Sequence, residues 1–226
     1  GAAPIVVIPS YNGARKLPVL TPLLALLLAR QGLGVLVHGT PTESGRVLAS
    51  DVLLALGKPA QSAITEIASG DVAFVPTAVL HPGLQRLLDV RRTVGVRNSA
   101  HSLVKLMNPV QGTSLLVTSY THPEYAVSMA ETLALTRTTA LLLRGTEGEA
   151  VADARRTPRM QAVCGGQITE LQEAQAGSLA QVPDLPAGTD VDATAAYITD
   201  VLAHKRPVPM PIAVQVAHAV NMARSL

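Results

Sequence analysis

The chain contains no tryptophan, a single phenylalanine and a single cysteine, and aromatic residues make up only 2% of its 226 positions. Scarce aromatics remove the usual platform on which single-stranded bases stack, leaving four tyrosines for that purpose. One cysteine, Cys164, excludes an intrachain disulfide framework and any cysteine-cluster metal site. No apolar run reaches bilayer length; the longest, LLALLLA around 23–29, is far too short. The N-terminus lacks the basic region and apolar core of a secretory signal. These absences lead us to expect a soluble, cytoplasmic protein with no membrane partner. Charge is also scarce: a net +2 is too small by itself to imply a polyanionic partner.

What is present is apolar and small. Hydrophobic residues make up 48% of the chain, mostly Ala, Val and Leu, which argues for a packed α/β domain and against disorder. The length suffices for one core, as a single domain or a domain with an appendage. Arginine dominates the eighteen basic residues and suits bidentate phosphate contact.

Strand and helix patterns alternate along the chain. Strands are predicted at 4–8, 34–39, 72–76, 114–120, 139–145, 159–165 and 167–174. Helices are predicted at 21–32, 46–57, 60–70, 82–95, 98–109, 123–136, 190–204 and 212–226, with a loopier region over 146–190. Thr21 is read as the N-cap of the first helix, Pro22 as its first position and Gly32 as its stop. His81 and His122, each before a proline, read as helix-entry residues. Such alternation implies a largely parallel sheet covered on both faces, a three-layer α/β/α arrangement.

Four clusters carry candidate chemistry. In 8-IPSYNGARK-16, Ser10, Asn12, Gly13, Arg15 and Lys16 follow the first strand, where open α/β sheets bind ligands; the plain alternative is an ordinary turn. In 38-HGTPTESGR-46, hydroxyls and Arg46 near a helix start suit phosphate, although helix capping would equally explain Thr42 or Ser44. Arg91, Arg92, Arg97, His101 and Lys105 form a basic run with no acid between 90 and 123. Arg97, His101 and Lys105 share a helical face, which points to an anion-contacting surface rather than solvated charges. Glu147, Glu149 and Asp153 could hold Mg²⁺ but read better as solvated surface acids, with Arg155, Arg156 and Arg159 a further cationic patch. No nucleophile elbow, His-Glu-x-x-His or Cys-His constellation is visible, so no catalytic residue or metal ligand is assigned.

The order 38-HG-39, 50-SDVLLALG-57, 81-HPGLQRLLDVRRTVGVR-97, 108-NP-109 and 122-HPEYAVSMAETL-133, with Arg144-Gly145, resembles the anthranilate phosphoribosyltransferase family (glycosyltransferase family 3). The resemblance covers nearly the whole chain. It implies a nucleoside phosphorylase/phosphoribosyltransferase-like fold, with 1–226 as the large α/β domain and 82–109 as helices contributed to a small helical domain. The remaining N-terminal helices of that small domain are expected to be missing, which the abrupt opening GAAPIVVI suggests.

The family's working motifs depart from their pattern. Its diphosphate loop Gly-Thr-Gly-Gly-Asp falls on Pro9-Ser10-Tyr11-Asn12-Gly13, with only Lys16 matching just downstream. Its Asn-Ile-Ser-Thr falls on Val19-Leu20-Thr21-Pro22, and its His-Gly-Asn-Arg-Ser on His38-Gly39-Thr40-Pro41-Thr42. The phosphate-contacting lysine becomes Arg46, and the Mg²⁺-holding Asp-Glu pair falls near Ala150-Val151. The arginine that meets the acceptor carboxylate is kept as Arg97, beside His101 in place of asparagine.

Without Mg²⁺ to neutralise departing diphosphate, phosphoribosyl transfer loses its main electrostatic support. The pair 9-PSYNGARK-16 and 99-SAHSLVKLMNP-109 is similar to the YbiB-type, TrpD-like branch, regarded as nucleic-acid-binding rather than catalytic. The resemblance therefore implies a cofactor-free protein that binds single-stranded DNA or RNA and, at full length, forms a homodimer. The competing expectation is a transferase using phosphoribosyl diphosphate and Mg²⁺ on an aromatic or nucleobase acceptor. A third is a folded remnant with neither activity.

Overall fold

In β1 (Ile5–Ser10) every residue after Ile5 is buried, so apolar side chains leave both faces, as a strand inside a doubly covered sheet requires. The computed structural model describes residues 3–179 and 182–226, so the loop expected over 146–190 is described on either side of 180–181. After β1 come α1 (Thr21–Arg30), β2 (Gly34–Gly39), α2 (Ala49–Ala55), β3 (Val72–Pro76), α3 (Thr77–Leu80) and α4 (Pro82–Val94). Next are α5 (Ala100–Leu103), a 3-10 turn (Val104–Leu106), β4 (Ser114–Tyr120), α6 (Glu124–Leu135) and β5 (Ala140–Arg144). The chain closes with β6 (Met160–Cys164), β7 (Gln167–Gln172), α7 (Val191–Leu202) and α8 (Met210–Arg224).

The seven strands lie in the order β3-β2-β1-β4-β5-β6-β7. The first five are parallel, while β6 and β7 form an antiparallel hairpin at one end. Gly165 and Gly166, both at positive φ, make its two-residue turn, the conformation that suits the twist of paired strands. Alternate strand residues feed opposite layers. Val6, Ile8, Val35, Val37, Leu115 and Leu141 face a core built with α1, α2, α7 and α8. Val7, Leu36, Leu116 and Leu142 face a second core completed by Ala130 and Leu133 of α6. The expected three-layer α/β/α sheet is therefore present.

Three local readings need correction. Residues 60–70 are extended loop, not helix: Ala60 bridges to Phe74, and the Gln61 amide donates to the Phe74 carbonyl at 2.8 Å. Ile64 there is 68% exposed and only Ile67 packs against the second core, too little apolar contact to hold a helix. The helix expected over 98–109 shrinks to α5 and the 3-10 turn, held at its start by Asn98, whose side-chain oxygen accepts from the Ala100 amide at 3.0 Å. Thr21 is the first residue of α1 rather than its cap, because its hydroxyl donates to Glu149 at 2.9 Å. His81 does cap α4, accepting from the Leu84 amide through Nδ1 at 3.0 Å.

The chain reverses its direction across the sheet between β1 and β4. At such a switch point the loops leaving the strands diverge and open a crevice above their carboxyl ends. Tyr11, Leu88, Ala100 and Val104 form a small separate cluster that seats α4 and α5 beside this crevice.

Candidate functional site

The crevice is a cleft of about 910 Å³, reached by Asn12 and Arg15 after β1, Ser119 and Tyr120 ending β4, and Glu147 after β5. Arg46, Arg97, His101 and Lys105 line it too; the last three meet at one space without the shared helical face expected of them, since Arg97 precedes α5 and Lys105 lies in the 3-10 turn. A second cleft of about 760 Å³ adjoins it, sharing Tyr120, Thr121 and Glu147. Its lining adds Lys16, Arg144, Arg155, Arg156 and Arg159.

The loop after β1 is closed on itself by carboxylates. Glu149 is 2% exposed and accepts four hydrogen bonds: Ser10 Oγ at 2.5 Å, the Asn12 amide at 2.8 Å, the Gly13 amide at 2.9 Å and Thr21 Oγ1. Glu147 accepts from the amides of Arg15 at 2.6 Å, Lys16 at 2.9 Å and Leu17 at 3.4 Å. The reading of both as solvated surface acids is therefore corrected. The apolar segment that follows Glu149 is buried as well, Ala150 to Ala152 being each 1% exposed and tied down by Gln215 of α8.

The short turn that carries these acids is fastened from three sides. Asn12 Nδ2 donates to the Glu147 carbonyl at 3.0 Å, while Lys105 Nζ and Ser119 Oγ donate to the Gly148 carbonyl at 3.0 and 3.1 Å. Gly148 sits at φ 91°, a backbone conformation that strains any side chain, and a Cβ there would lie 1.9 Å from Asn12 Nδ2 and displace that side chain. Lys105 is thus turned inward. Burial lowers its ammonium to about 8, against the opposing pull of nearby Glu149.

The other predicted cations separate into paired and free groups. Arg91 and Arg97 each reach Glu43 at 2.7 Å, and Arg46 reaches it at 3.5 Å. This surround, led by the Arg91 hydrogen bond, draws the Glu43 carboxyl down to about 2. Arg92 pairs with Asp89 at 3.4 Å on the outer side of α4. Arg15 and Lys16 are exposed, and their side chains meet no carboxylate among the described residues. The same holds for Arg144, which the sequence reading left without a role. Burial lowers the pKa of His101, and its Nε2 has no hydrogen-bond partner among the described residues.

The remaining predicted loop positions serve the fold. His38 is fully buried, with Nε2 3.1 Å from the Met107 carbonyl and Nδ1 2.8 Å from the Tyr11 hydroxyl. Gly39 packs so closely on β1 that a Cβ would come within 1.8 Å of the Ser10 carbonyl oxygen. Thr42 donates to the Tyr11 carbonyl at 2.6 Å, and Thr40 is partly exposed beside it.

No family model matches the chain. The uncharacterized protein YbiB of Escherichia coli (strain K12) is 37% identical over 220 residues, which cover 94% of this chain and 67% of YbiB. The anthranilate phosphoribosyltransferase of Thermus thermophilus is 32% identical over 133 residues, only 39% of that enzyme. Its crystal structure superposes on 98% of this chain with a TM-score of 0.68, covering 72% of the enzyme at 23% identity. The chain belongs to the anthranilate phosphoribosyltransferase-like family, on its YbiB-type branch. A further member with the same fold, the Saccharomyces cerevisiae enzyme in complex with PRPP and Mg, covers all of this chain with a TM-score of 0.67 at 16% identity.

A Mg²⁺ site built on Glu147 and Glu149 does not fit their surroundings in this chain. A divalent cation needs carboxylate lone pairs turned toward it, and those of Glu147 and Glu149 are directed at N–H and O–H donors. Among the described residues, no group of three His, Cys, Asp or Glu side chains is placed to hold a metal. No helix among them is long and apolar enough to cross a membrane.

Proposed function

We propose that this family member does not catalyse phosphoribosyl transfer and binds nucleic acid, single-stranded DNA or RNA, through backbone phosphates. The observation that carries the reading is the placement of Arg15, Lys16 and Arg144. All three are exposed at two adjoining clefts, without carboxylate partners among the described residues. Unpaired arginines and lysines at a cleft rim attract phosphates at little desolvation cost, and they do so without regard to sequence. Tyr125, 48% exposed on the first cleft, adds one aromatic face for a base. Arg97, half exposed, becomes a phosphate contact when it leaves Glu43.

The test is fluorescence anisotropy with labelled single-stranded DNA over a salt series. With about four phosphate contacts, affinity falls about fifty-fold between about 50 and about 200 mM salt. The double substitution R15E/K16E weakens binding by about tenfold or more at the lower salt. Glu43→Gln strengthens it about threefold by releasing Arg46, Arg91 and Arg97. A flat salt response sinks the reading. So does saturable binding of phosphoribosyl diphosphate with Mg²⁺ by a protein that ignores DNA, which restores the transferase.

A further inference from the structure

We infer that the loop between β1 and α1 is an oxyanion cradle that the chain fills with its own carboxylates, and that Glu147 is the stopper excluding inorganic diphosphate and phosphate. This goes beyond the nucleic-acid reading and does not rest on it.

Five backbone amides within six residues, those of Asn12, Gly13, Arg15, Lys16 and Leu17, converge on two carboxylates at 2.6–3.4 Å. Such a set of donors takes phosphoryl oxygens as readily as carboxylate oxygens, since both are anionic acceptors that seek the same N–H geometry. The two carboxylates differ in how they are held. Glu149 is sealed beneath the loop by two hydroxyls as well as two amides. Glu147 lies at the border of both clefts, and among the described residues its carboxylate is bound by the amides of Arg15, Lys16 and Leu17 alone.

The stopper is presented on a rigid mount. Its own carbonyl is held by Asn12, and the next carbonyl by Lys105 and Ser119. Glu147 itself sits at φ 53°, a left-handed conformation unusual for glutamate. An anion mounted in this way competes at an effective concentration above the millimolar range of a flexible tether. Free phosphate cannot match that, although the amides and the cations of Arg15 and Lys16 suit it. Removing the Glu147 carboxylate frees three amides beneath two uncompensated cations, and a small oxyanion takes its place without a metal.

The test titrates the whole chain with inorganic pyrophosphate, and separately with inorganic phosphate, by calorimetry in Mg²⁺-free buffer. We expect no saturable heat from the unsubstituted chain up to about 10 mM, and binding at least about tenfold tighter in Glu147→Ala. Circular dichroism establishes that the variant is folded. Should Glu147→Ala not fold, Glu147→Gln, of the same shape without the charge, carries the test and gains at least about threefold. The inference is overturned if the unsubstituted chain binds pyrophosphate as tightly as the folded variants, or if those variants gain nothing. Single-stranded DNA titrated into the same proteins separates the two readings: failure to bind DNA removes the proposed function and leaves the cradle to be judged on pyrophosphate.

Discussion

Replacing Glu149 by alanine lowers the stability of the folded chain by about 3–5 kcal/mol, read from urea unfolding. The size follows from what the carboxylate holds. Two buried amides and two hydroxyls donate to it, and at 2% exposure no solvent can substitute for it. Alanine strands all four donors and leaves a cavity under the β1–α1 loop. It also removes the negative charge that favours the buried ammonium of Lys105. Glu149→Gln is the informative companion. One amide oxygen still serves Asn12 and Gly13, while the hydroxyls of Ser10 and Thr21 rotate to accept from its NH₂. Glutamine therefore costs about 1–2 kcal/mol. An alanine variant within about 1 kcal/mol of the unsubstituted chain would mean that the loop does not depend on this carboxylate.

The contrast between Glu149 and the cations shows what the sequence made legible. The sheet and its layers were readable because burial period is local: IVVI and LLAL declare strand and helix within a few residues. The cations were readable as a basic run for the same reason. Their neutralisation was only partly so: Asp89, next to the run, pairs with Arg92, but Glu43 lies 54 positions before Arg97. Glu147 and Glu149 reach the loop after β1 from 130 or more residues away, a pairing that no spacing rule encodes. The one available hint was the apolar AVA directly after Glu149, which marks a chain diving into the core. Residues 60–70 erred the other way, because helix propensity is a weak prior where no packing partner supports it. The opening loop, read as a phosphate loop short of glycines, proves to have its donors in place and its anion built in.

Acidification exposes the other buried polar group of this region. Between pH 6.5 and about 4 the chain loses about 3 kcal/mol of stability through His38 alone. Burial holds the folded imidazole down to about 4, against 6.5 when unfolded, with the Met107 carbonyl pulling weakly the other way. The unfolded chain therefore takes up a proton first as pH falls. The stability is complete above 6.5, declines through the window and is fully lost below about 4. The hydrogen bonds do not account for the cost. In the neutral ring Nε2–H donates to Met107, and Nδ1 accepts from Tyr11, whose oxygen accepts from Thr77 at 2.8 Å. On protonation Nδ1 donates instead and the Tyr11 and Thr77 hydroxyls turn around, so every bond survives and the penalty is a charge left in a dry site. His101 and His218, also lowered by burial, add to the slope with the same sign. Glu43 acts in a lower window, since its carboxyl titrates between 4.5 and about 2. Unfolding free energies measured every half unit of pH, for the unsubstituted chain and for His38→Gln, separate these contributions. The variant is less stable at pH 7 and clearly flatter from 6.5 to 4; equal slopes in the two proteins would place the acid sensitivity elsewhere.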